Sequence, residues 1–88
     1  MVRKRIVFEG FVQGVGFRWR ASHAASLYGC TGWVRNEWDG SVTMELQGEP
    51  EQIDSVVRAI GAGRYVEIER MESLELPVRD ERDFGVRY

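Results

Sequence analysis

Apolar and polar positions change period several times along the chain, and each change marks an element. Ile6, Val7 and Phe8 form a branched and aromatic run within Arg5–Glu9, which predicts a strand. From Phe17 the apolar positions Phe17, Ala21, Ala24, Ala25 and Tyr28 fall at helical spacing, and Gly29 supplies a stop. Gly32–Trp38 returns to strand character, and Asp39-Gly40 suits a tight hairpin turn. Val42, Met44 and Leu46 then alternate with Thr43, Glu45 and Gln47, a strand with one buried face. Pro50 sits well in the first turn of a helix, and Ile53, Val56, Val57 and Ile60 continue it to Gly61. Tyr65–Leu74 reads as a further strand with Val66 and Ile68 on one face; Met71 breaks the parity and predicts a bulge there. Pro77–Asp83 is a polar loop, and Phe84, Val86 and Tyr88 alternate as a short last strand.

Strand, helix, strand, strand, helix, strand predicts an α+β fold, the ferredoxin-like α/β sandwich (βαββαβ), with an antiparallel sheet and two helices on one face. Residues 1–88 leave room for a single domain. That fold hosts many activities and does not itself name one.

Charge narrows the choice. Twelve Lys and Arg against fourteen Asp and Glu give a net charge of −2, too little basic excess for a nucleic-acid backbone. Arg3-Lys4-Arg5 reads as a solvated strand start. RNA-recognition domains share the element order but need exposed aromatics on two central strands, and Val42–Leu46 has none. No apolar run approaches a membrane span. Cys30 is the only cysteine and cannot form an intramolecular disulfide, and a reducing cytoplasm suits the chain.

Candidate chemistry gathers between the first strand and first helix. Gly14 and Gly16 permit torsions that turn the amides of Gln13, Gly14, Val15, Gly16, Phe17 and Arg18 to one side, a concave anion site at the positive end of a helix dipole. Arg18 is placed to close that cradle with two parallel bonds to phosphate oxygens. The loop lacks the Gly-Lys-Ser/Thr ending of a nucleotide-binding loop. On composition alone a tight connection with a surface arginine is the better account. Alternation sets Val34, Asn36 and Trp38 on one face; Asn36 reads as a holder of water or as a strand-edge amide bonded to backbone. His23 lies roughly 140° around the helix from Arg18 and reads as a solvated surface residue. Ser22 has no base to activate it, Trp19 and Trp38 are candidates for a pocket rim, and the scattered acidic residues form no metal-ligand set.

Gly10-x-Val12-Gln13-Gly14-Val15-Gly16-Phe17-Arg18 and Gly29-x-x-Gly32-Trp33-Val34-Arg35-Asn36 with Asp39-Gly40, followed by Phe84-x-Val86-x-Tyr88, resemble the signatures of the acylphosphatase family over essentially the whole chain. Gly61–Val66 departs from the family's usual Gly-Pro and Ala-x-Val there. The resemblance implies hydrolysis of the carboxyl-phosphate bond of a small-molecule acyl phosphate, with Arg18 and the loop amides on the phosphoryl group, Asn36 holding the attacking water, and no metal or organic cofactor. A non-catalytic regulatory or maturation domain on the same fold is the alternative. Inorganic phosphate is then product and competitive inhibitor, and a monomer without nucleic-acid or membrane partners is expected. Because the family fold brings the C-terminus near this loop, Tyr88 is expected behind Arg18, its carboxylate orienting the guanidinium or its ring merely packing.

Overall fold

The computed structural model describes residues 1–88. Its elements are β1 (Val2–Phe11), α1 (Phe17–Leu27), β2 (Thr31–Asn36), β3 (Val42–Gly48), α2 (Pro50–Gly61), β4 (Glu67–Leu76) and β5 (Phe84–Arg87). The sheet order is β4-β1-β3-β2-β5. Alternation along β1 and β3 turns Ile6, Phe8, Val42, Met44 and Leu46 toward the helices, which contribute Phe17, Ala21, Ala24, Ala25, Ile53, Val56 and Ile60 to the same buried core. The alanines let α1 lie close on the sheet, and Phe17 meets Phe8 edge-on with ring centroids 4.9 Å apart. The ferredoxin-like α+β architecture expected from the element order is therefore present, with one correction. The sheet is mixed, because β5 runs parallel to β2 while every other pairing is antiparallel. The chain leaves β4 at one edge of the sheet, crosses its outer face through residues 77–83, and enters β5 at the other edge in the direction of β2.

That crossing corrects two further expectations. Arg3 is wholly buried rather than solvated, with Nε 2.9 Å from Glu45 and Nη1 2.8 Å from Glu81. Gln47 fastens the same segment by donating to the carbonyl of Arg79 (2.8 Å) and accepting from its N–H (2.9 Å). Covered in this way, Thr43, Glu45 and Gln47 are buried, so β3 has two buried faces and not one. The bulge in β4 also moves. Glu9 pairs with Arg70 and Gly10 with Ile68, which leaves Glu69 as the extra residue, two positions before Met71. After it, Met71 and Ser73 fall on the helix side of the sheet, opposite Phe8 and Ile6. Between α2 and β4 the Gly61–Val66 connection is a compact turn, closed by bonds from Gly63 N to Ile60 O (3.1 Å) and from Val66 N to Gly63 O (3.2 Å).

Candidate active site

Two core side chains anchor the loop between β1 and α1. Val12 at its start and Phe17 at its end are both buried, so residues 13–16 bridge two fixed points as an arch. Gly14 (φ 73°) and Gly16 (φ 79°) take left-handed torsions that a side chain disfavours, and Gly16 is the N-cap of α1 with no side chain satisfying the first turn. None of the backbone hydrogen bonds outside the regular elements has a donor between Gln13 and Trp19. The arch therefore presents free N–H groups at the positive end of the helix dipole, a ready anion site.

A cavity of about 370 Å³ opens against this arch. Gly14, Gly16, Phe17, Arg18, Trp19 and Ser22 line it from the loop and α1, Val12 from the floor, Asn36 from the end of β2, and Val86 and Tyr88 from the C-terminal segment. Arg18 has its only charged side chain. The guanidinium has no carboxylate among the ion pairs of the chain; it lies against the ring of Tyr88, 4.8 Å from the centroid. Across the cavity, Oδ1 of Asn36 is shielded from solvent and accepts no hydrogen bond from the protein. A buried, unpaired amide oxygen costs about 1–3 kcal/mol and calls for a partner the protein does not supply.

Other sequence candidates take lesser places. Gln13 and Val15 do not line the cavity: Val15 packs against the core, and Gln13 turns its side chain to the β2–β3 hairpin. Trp38 lies beyond the end of β2, 98% exposed and away from the cavity, whereas Trp19 is on the rim. His23, exposed one helical turn on, stacks on Trp19 at 5.0 Å and is thus one ring removed from the cavity. Glu37 follows Asn36 but takes the other face, where hydrogen bonds from Arg35 and then Thr43 hold its carboxyl below the ordinary range. Cys30 is buried, and burial pushes its thiol up. No three His, Cys, Asp or Glu side chains cluster anywhere in the chain. The Gln13 side chain is the feature that sequence reasoning missed, since nothing local marks which carbonyl a glutamine will meet 24 residues away.

The site thus joins an amide arch, a free guanidinium and an amide with an unpaired oxygen around one cavity. The family model described as Acylphosphatase matches residues 4–86. The chain belongs to the acylphosphatase family. An acylphosphatase of Bifidobacterium longum is 43% identical over 99% of this chain and 93% of its own length. An acylphosphatase crystal structure from Bacillus subtilis superposes with a TM-score of 0.93 at 30% identity, covering all of both chains. The same domain also occurs inside a larger protein: full-length HypF, in phosphate- and nucleotide-bound form, matches the whole chain over 12% of its own length, with a TM-score of 0.86 and 28% identity.

Proposed function

We propose that the chain, acting as one domain over residues 1–88, hydrolyses acyl phosphates to a carboxylate and inorganic phosphate. The amides of residues 13–18 and the Arg18 guanidinium hold the phosphoryl oxygens. A water accepted at Asn36 attacks phosphorus in line with the departing carboxylate, and its proton passes to a phosphoryl oxygen. Asn36, which lines the cavity beside the Arg18 guanidinium and whose buried Oδ1 has no partner in the protein, carries this reading.

The donor set limits the leaving group. No side-chain carboxylate, imidazole or ammonium lines the cavity to protonate a departing alkoxide. A carboxylate, whose parent acid has a pKa of about 4, leaves as an anion unaided. A loose phosphoryl transition state asks little of a base, because the nucleophile forms little bond early. Small acyl phosphates, inorganic phosphate as competitive inhibitor, independence of metal ions, a monomeric state and a cytoplasmic setting belong to the same proposal; no helix is long and apolar enough to cross a membrane.

Hydrolysis of benzoyl phosphate by the purified chain in excess EDTA tests it. Turnover that persists in EDTA and is inhibited competitively by phosphate is expected; turnover that requires added magnesium overturns the mechanism. Asn36→Ala is expected to lower kcat by ~10²-fold while phosphate inhibition stays nearly intact, because a positioned water acts in the transition state. Equal losses in both would make Asn36 a phosphate ligand.

A further inference from the structure

Between its two anchors the phosphate arch is hydrogen-bonded to the rest of the protein through one side chain. Gln13 Nε2 donates to the carbonyl of Glu37 at 2.6 Å and to that of Ser41 at 2.9 Å, using both amide hydrogens. These two carbonyls belong to the closing pair of the β2–β3 hairpin, in which Glu37 N also donates to Ser41 O at 2.9 Å. The turn beyond is itself braced, with Asp39 Oδ1 accepting from Ser41 N (3.0 Å) and Ser41 Oγ (2.7 Å). Glu37 is the residue immediately after Asn36. The arch that holds phosphorus and the strand end that holds water are thus fastened within one residue of each other.

We propose that Gln13 is a positioning residue for the hydrolysis: its side chain sets the separation between the bound phosphoryl group and the water at Asn36. This rests on the reading of Asn36 as the water holder. In-line attack needs reacting atoms about 3–3.5 Å apart, and a displacement of about 1 Å costs on the order of 10²-fold. The amides and Arg18 travel with the arch, and Asn36 travels with the hairpin. Without the Gln13 bonds the two halves keep their own geometry and lose their registration.

The test is a double-mutant cycle of Gln13→Met, which keeps length and removes the donors, with Asn36→Ala. Gln13→Met is expected to lower kcat on benzoyl phosphate by about tenfold or more, to leave the phosphate inhibition constant within about twofold, and to have little further effect in the Asn36→Ala background. Unchanged kcat in Gln13→Met beside an impaired Asn36→Ala overturns the clamp alone, as does an equal loss in both backgrounds or a matching loss of phosphate inhibition. A fully active Asn36→Ala overturns the reading of Asn36 itself. Gln13→Glu guards against a merely misfolded variant. Its carboxylate faces two carbonyl oxygens at neutral pH, and its protonated form regains one donor. Its activity relative to the unsubstituted chain at the same pH is expected to rise as pH falls from 7 toward 5; a flat ratio overturns the clamp.

Discussion

Three of the eleven arginines pair with carboxylates. Arg3 pairs with Glu45 and Glu81, Arg35 with Glu37, and Arg70 with Glu9 and Glu72. Arg18 alone faces an amide arch, with only the Tyr88 ring at its back. A free planar fork suits bidentate capture of phosphoryl oxygens, which an ammonium cannot copy. Arg18→Lys is therefore expected to fail nearly as badly as Arg18→Ala, by ~10²-fold or more in kcat/KM; near-complete activity in the lysine variant would remove the bidentate role. Tyr88 separates by magnitude. Its ring is almost fully exposed, and an exposed cation–π contact contributes about 0.5–1 kcal/mol, so loss of the ring alone in Tyr88→Ala should cost roughly two- to fivefold. Residues appended after Tyr88 keep the ring and move the carboxylate away. If the carboxylate orients Arg18, activity of that extended, folded variant falls well beyond fivefold; if the ring is the whole contribution, the extension is silent.

At the scale of elements, the arch depends on left-handed torsions more than on side chains. A Cβ built on Gly16 meets no atom within 4 Å, so Gly16→Ala carries no clash and only the torsional cost, about 1–2 kcal/mol. The expected result is a folded protein with a modestly lower melting temperature and a much weaker response to inorganic phosphate, since relaxation of φ at the N-cap turns the amides away. Gly16→Asn, better tolerated in that region, should lose less; a full response to phosphate in the alanine variant would show that the arch does not need this torsion. The elements themselves were legible because each carries its own period, as in the Ala21, Ala24 and Ala25 face of α1 and the Asp39-Gly40 turn between β2 and β3. The bulge was legible only as a change of parity. Met71 reports that the parity has changed, but the extra residue is Glu69, and only the pairing with β1 decides which position is left over. Within the site, Arg18 and Asn36 were marked by their signatures, whereas the Gln13 contact depends on where the hairpin folds back.

At the scale of the whole molecule, the hidden information lies in contacts between the chain's two ends. Nothing near Arg3 announces burial, because its partner Glu81 is 78 residues away and reaches it only once residues 77–83 cross the sheet. The direction of β5 comes from the same crossing, and with it the approach of Val86 and Tyr88 to the cavity. The clasp therefore ties stability to the site and makes it sensitive to acid. Burial alone would raise the Glu81 carboxyl, but hydrogen bonds from Arg3 and Thr31 and the charges of Arg3 and Arg79 together outweigh it and hold the group below its ordinary 4.5. A carboxyl lowered in the folded state contributes stability that is fully present above the unfolded value and disappears as pH falls through the folded one. Glu37, lowered by Arg35 and Thr43, adds to the same limb. The melting temperature should accordingly be level from pH 7 to about 5.5 and fall below about 4.5, the window set by these carboxyls. Glu81→Gln should be less stable than the parent at pH 7 and show a shallower acid fall. Arg3→Ala should cost more, ~3 kcal/mol, because it leaves two shielded carboxylates without their cation. Thermal denaturation of the three proteins at pH 7 and pH 4 decides it: an acid fall in Glu81→Gln as steep as the parent's would place the titrating groups elsewhere and reduce the clasp to packing.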